Sequence, residues 1–146
     1  MEPELPLLVE RVLVAFSGDD EVLNEIFDEN VQIQASGSLL PALPAGAAGV
    51  VVLLSFLRSP FPDLVFSALR PPVGQGSTTT VAWRATGTHT GPNLFNLAPT
   101  GRRIQLTGQL MLSGSELIER LWIALDLTQV LPDLGMAPSP PPGASR

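Results

Sequence analysis

At 146 residues the chain has the length of one domain, and a hydrophobic content of 45% is enough to build a core. The net charge is −6 and the longest basic cluster is Arg102-Arg103, which argues against nucleic acid and against an anionic membrane surface as partners. With no Cys and one His, the chain offers no disulfide, no thiol nucleophile and no structural zinc site, and no metal or cofactor is expected.

The start, Met-Glu-Pro-Glu-Leu-Pro, is acidic and lacks the basic opening of a secretory signal. The first element predicted is a helix. Leu5, Leu8, Val9, Val12, Leu13 and Phe16 fall on one stripe at helical spacing, with Glu4, Glu10 and Arg11 elsewhere. Ser17-Gly18 ends it, and Asp19 or Asp20 can cap a second helix in which Val22, Leu23, Ile26 and Phe27 share a face. Asp28-Glu29-Asn30 breaks to a strand, Val31 to Gln34, that alternates strictly. Gln32 and Gln34 on one face of it point either to solvent or a subunit interface, or into a polar spot of a pocket.

The longest apolar run, Ala42 to Leu54, is interrupted by Pro44, Gly46 and Gly49. It is shorter than the ~20 residues that cross a bilayer, so a soluble, cytoplasmic protein is expected. Val50 to Arg58 is apolar nearly all round and therefore buried, and its β-branched residues by themselves read as a strand. Leu64 to Leu69 is a strand stopped by Pro71-Pro72. A turn over Gly74 to Ser77 leads into a long strand, Thr78 to His89. Arg103 to Leu112 and Leu117 to Leu125 form a hairpin across Ser113-Gly114-Ser115. Thr128 to Leu134 is a short final helix or turn. The domain spans residues 1–135, and residues 136–146, with Pro138 and Pro140-Pro141-Pro142, form a disordered tail. Helices followed by meandering strands give an α+β fold, a curved antiparallel sheet with the N-terminal helices on its concave face.

Between the long strand and the hairpin lies Gly87 to Ile104, GTHTGPNLFNLAPTGRRI. Gly91-Pro92 and Pro99-Thr100-Gly101 supply two turns. The loop between them carries Leu94, Phe95 and Leu97, which a solvated loop would not need. It reads as a flap over a cavity or partner surface, or as a plug in a core edge. This stretch, with Phe61-Pro62-Asp63-Leu64, Trp122, Asp126 and Leu134-Gly135, resembles the SnoaL-like polyketide cyclases over about Leu5 to Gly135. The resemblance implies a cone of the kind seen in ketosteroid isomerase, a helix rather than a strand just before Phe61, and a mouth that admits a small molecule. It also implies a general acid/base Asp directly after the Trp, assisted by a His on the neighbouring strand. Here those places hold Ile123 and Leu110, neither of which can move a proton.

The apolar faces of the hairpin must meet the helices, because a sheet buries its apolar side. That puts Leu106, Leu110, Leu112, Leu121 and Ile123 on a cavity wall, with Trp122 and Gln109 opposite. Facing parity with His89 puts Trp83 on the same wall, to stack on a ligand or to fill core. His89 is either the proton-transfer residue or a pin for the flap turn. Asp126 either caps the final turn or takes part in catalysis. Gln32, Trp83, Asn93 and Phe95 complete the substrate-binding set.

Three functions fit. One is a cyclase or isomerase of secondary metabolism that takes a hydrophobic, polyketide- or terpenoid-type intermediate in an apolar pocket and works by conformational steering, a pericyclic closure included. The second is a non-catalytic small-molecule-binding protein of the same fold. The third is a filled cone whose outer face, with Gln105, Thr107, Gln109 and Trp122, forms a homodimer. A homodimer is expected in the first case as well.

Overall fold

The computed structural model describes residues 4–18, 23–92, 94 and 96–135. The expected caps Asp19 and Asp20, the site candidates Asn93 and Phe95, and the tail of residues 136–146 lie outside them.

Helix α1 (Glu4–Phe16) buries Val9, Val12, Leu13 and Phe16 along the predicted stripe. Helix α2 is one turn, Leu23–Ile26, shorter than its apolar spacing suggests. Phe27 instead opens strand β1 (Phe27–Ser36), and Asp28-Glu29-Asn30 is not a break but part of that strand. The register of β1 shifts between Phe27 and Gln32, and the Asp28 carboxylate accepts the Asn30 N–H at 2.8 Å, so these polar residues bulge rather than terminate the strand.

Helix α3 (Ala47–Arg58) covers the β-branched run and buries Val50, Leu53, Leu54 and Leu57. The run is not buried all round as expected: Val51 and Val52 are exposed, and it is the face of Val50 and the three leucines, buried against the sheet, that overrides the strand propensity of the valines. Strands β2 (Val65–Ala68), β3 (Val73–Gln75), β4 (Thr78–Thr88), β5 (Arg103–Gly114) and β6 (Ile118–Leu125) follow. The six strands form one curved sheet in the order β1-β6-β5-β4-β2, with β3 also on β4. All pairs are antiparallel except β1 with β6, which run parallel, so the α+β sheet is mixed.

The inner face is laid down in cross-strand rows. Val81, Leu110, Ile123 and Ala35 form one row; Thr79, Leu112, Leu121 and Ile33 form the next. Trp83 stands opposite Gly108, and Ala85 opposite Leu106. In β5 and β6 alternation fails at the hairpin. There Ile118 is buried while both Glu119 and Arg120 are exposed, so Leu117 and Glu119 do not share the inner face as strict alternation predicts. The cause is a register shift at Ser113/Gly114, where Gly114 has φ 150° and the Leu117 carbonyl would lie 2.1 Å from an added Cβ.

Beyond β6, the 3₁₀ turn Leu127–Val130 folds back on β5, whose backbone here has run past the end of β6. The Gln129 amide takes a strand's place beside Thr107. Its oxygen accepts the Thr107 N–H and its nitrogen donates to the Thr107 carbonyl, both at 3.1 Å. The Asp133 carboxylate accepts the Gln105 N–H at 2.9 Å. The free edge of β5 is thereby covered.

Candidate functional site

The inner wall is aliphatic and closed. Leu106, Leu110, Leu112 and Ile123 are 0% exposed and Leu121 is 1% exposed, and Leu110 and Ile123 stand directly opposite each other on β5 and β6. Trp122 and Gln109 lie on the other face, where the Trp122 indole N–H donates to the Ser36 hydroxyl at 3.0 Å.

Trp83 is wholly buried in an aromatic stack, 5.1 Å from Phe66, which meets Phe16 edge-on at 5.5 Å. Its ring lies over Gly108. A Cβ there would stand 2.4 Å from the indole Cζ2 and 2.2 Å from the Ala124 carbonyl oxygen. Glycine at 108 is thus the partner that a Trp on the inner face of β4 requires. The indole N–H has no hydrogen-bond partner among the described residues.

His89, just past the end of β4, is also fully buried. Its Nδ1 accepts the Thr100 backbone N–H at 3.2 Å and lies 3.1 Å from the Thr100 hydroxyl, whose oxygen in turn accepts the Arg102 N–H at 3.2 Å. The main chain closes the same neck: His89 N–H donates to the Arg102 carbonyl and Gly101 N–H to the His89 carbonyl. So the His joins the two ends of the 90–100 loop. Its ring packs edge-on against Phe61 at 5.8 Å, and Nε2 is buried without a hydrogen-bond partner among the described residues. Burial pushes the imidazole pKa below its ordinary value, favouring the neutral form.

Around this neck the loop is tied down. Asp63 accepts the Thr88 N–H at 2.7 Å and the Thr88 hydroxyl at 2.8 Å, and Arg103 stands 3.5 Å away. These hydrogen bonds, the backbone one foremost, hold the Asp63 carboxyl below the usual range. Gly91 donates to the Pro60 carbonyl, and a Cβ on it would lie 1.8 Å from the Ser59 carbonyl oxygen. Arg58, at the end of α3, donates to the carbonyls of Phe16 (3.2 Å), Leu64 (2.6 Å) and Pro62 (2.5 Å), joining α1, α3 and the turn that carries Asp63. Within the loop Leu94 is buried, Leu97 is half-buried, and Asn96 takes φ 57° between them.

The sequence profile of the SnoaL-like polyketide cyclases matches residues 7–134. The chain belongs to that family. Among solved structures, IdmH of Streptomyces antibioticus, described as a proposed polyketide cyclase, is 26% identical, with 90% of this chain and 99% of that one covered at a TM-score of 0.77. AclR of Streptomyces galilaeus, described as a proposed hydroxylase, is 18% identical, with 97% and 91% covered at a TM-score of 0.77. A Catenulispora acidiphila protein with a ketosteroid isomerase-like fold is 14% identical, with 96% and 100% covered at a TM-score of 0.70. At those identities the last two show likeness of fold. No curated protein matches the sequence.

The remaining candidates of this SnoaL-like chain are dispersed. Asp126 caps the final turn, accepting the Thr128 N–H at 3.0 Å and its hydroxyl at 2.7 Å. Gln32 is exposed on the outer face, in a groove of about 530 Å³ with Gln34, Met111, Arg120 and Trp122. Among the described residues no cluster of His, Asp and Glu could hold a metal ion, and no helix is long and apolar enough to cross a membrane. Arg58 and Thr100 were not legible as site residues. The signal for Arg58 is a lone basic residue in the last turn of an apolar helix; for Thr100 it is a hydroxyl between Pro99 and Gly101 in the central motif.

Proposed function

We propose that the chain is a cyclase or isomerase of secondary metabolism that holds a hydrophobic, polyketide- or terpenoid-type intermediate against the inner wall. It closes or rearranges the ring system by conformational steering, pericyclic closure included, rather than by carboxylate acid/base catalysis. The observation that carries this is the pairing of Leu110 with Ile123, fully buried, at the places where the family resemblance puts an acid/base pair. Hydrocarbon groups there restrain and desolvate a substrate but exchange no proton. IdmH, 26% identical, lends support as a proposed polyketide cyclase.

Because the inner wall is closed, a ligand enters by displacing the 90–100 loop. Phe95, the largest apolar side chain of that loop's sequence, contributes to binding. The protein works in the cytoplasm as a homodimer, joined through the outer sheet face. The test is to incubate it with linear polyene and polyketone intermediates and to follow ring closure by liquid chromatography and mass spectrometry. Closure faster than in buffer, and binding weakened more than folding by Phe95→Ala, are expected. Tight binding without acceleration would favour the second reading, a non-catalytic small-molecule-binding protein, whereas the closed wall by itself favours the third, a filled cone that dimerises through its outer face. An absence of binding would remove both.

A further inference from the structure

We infer that His89 is a hydrogen-bond donor to a carbonyl oxygen of the ligand, through Nε2–H, and cannot serve as its base. The inference rests on the proposal that an apolar molecule enters beneath the 90–100 loop, and it adds the polar group which that molecule carries.

The geometry around the ring assigns the tautomer. Thr100 N–H can only donate, so the Nδ1 that it meets at 3.2 Å must be the unprotonated nitrogen. In a neutral imidazole the proton then sits on Nε2. That N–H is buried and has no acceptor among the described residues. Phe61, edge-on at 5.8 Å, offers at most the weak attraction of an aromatic ring. A buried donor without an acceptor is costly, and few persist in folded proteins unless something satisfies them in use.

The second buried orphan, the Trp83 indole N–H, has a different setting: it is enclosed by Phe66 and the Gly108 backbone in the middle of the sheet. His89 alone of the two sits at a strand end beneath a loop. The hairpin's inner wall is aliphatic, so an acceptor atom placed against Nε2 gives a ligand a polar anchor at this end. A ketone suits it. An ammonium or alkyl group at that point leaves the N–H unmet.

The sole imidazole makes the tautomer directly measurable. Nitrogen-15 NMR of the free protein near neutral pH should show Nδ1 unprotonated and Nε2 protonated; the reverse would overturn the inference. Binding is then measured with fluorenone and fluorene, which share a shape and differ by one carbonyl. Wild type should prefer fluorenone by about tenfold, the value of one added hydrogen bond. In His89→Asn the amide oxygen replaces Nδ1 as the acceptor for Thr100 but nothing replaces Nε2–H, so the preference should vanish with little change in melting temperature. In His89→Gln the amide nitrogen reaches the Nε2 position and the preference should persist. A preference that survives in His89→Asn, or is missing from wild type that binds both compounds, refutes the donor role alone. Wild type that binds neither removes the ligand-binding proposal itself. Should His89→Asn fail to fold, the wild-type Nε2–H resonance decides: it must move downfield with fluorenone and not with fluorene.

Discussion

Gly108→Ala is the sharpest test of how the inner face is built. The new methyl would lie 2.2 Å from the Ala124 carbonyl oxygen and 2.4 Å from Trp83 Cζ2, more than 1 Å inside ordinary contact in both directions. Neither neighbour yields easily. The oxygen belongs to the backbone of β6, and the indole is held against Phe66 at 5.1 Å. Overpacking of this kind costs about 1–3 kcal/mol, and two simultaneous clashes argue for the upper half of that range. For a chain of this length that lowers the melting temperature by about 5–10 °C. Urea unfolding should show a lower midpoint with the same slope. Trp83→Phe removes one of the two obstacles, so the double variant should lose less than the sum of the singles. An unchanged midpoint for Gly108→Ala would mean that the indole does not lie across β5, and the inner-face register would have to be redrawn.

Two further perturbations follow from the neck of the loop. Arg58→Ala removes three charge-assisted hydrogen bonds to the carbonyls of Phe16, Pro62 and Leu64. It should cost about 2–3 kcal/mol in urea unfolding, and Lys should recover less than half because an ammonium lacks the planar fork. Stability should also fall on acidification. The His89 pKa is lowered in the fold, so the unfolded chain takes up the proton first; the contribution is complete above the ordinary value of 6.5 and is lost as pH drops through the folded value. One proton limits the slope to about 1.4 kcal/mol per pH unit. His89→Gln should flatten it, and a wild type equally stable at about pH 7 and pH 5 would contradict the buried neutral imidazole. Asp63, also lowered, acts in a separate window, its contribution being present above 3.8 and lost below.

Much of the fold was legible because burial leaves a period in the sequence. The stripe of α1 and the alternation in β4 and β5 need one face apolar, and that face is the inner one. Reading failed where one residue changes the count. Phe27 fits the apolar spacing of α2 yet opens β1, and Ile118 turns inward because of the kink at Gly114. The valines of α3 read as strand on local preference, and only the resemblance to a family pointed to a helix. At the site, residue type marked out His89 and Trp83, but not their partners. The Thr100 N–H on Nδ1 is a backbone group eleven residues on, and the acceptors of Arg58 are carbonyls, which no side-chain pattern encodes.

The central claim is that ring chemistry here proceeds without a proton-transfer group, and the pH dependence of turnover tests it most directly. With a polyketide- or terpenoid-type intermediate that the protein cyclises, kcat/KM per folded molecule should stay level between about pH 5 and 8, the range in which an unperturbed His changes charge. His89→Gln, which retains a donor, should keep most of the rate. A rate that falls on acidification, together with a loss of about 100-fold or more in His89→Gln, would make His89 the base and contradict the account.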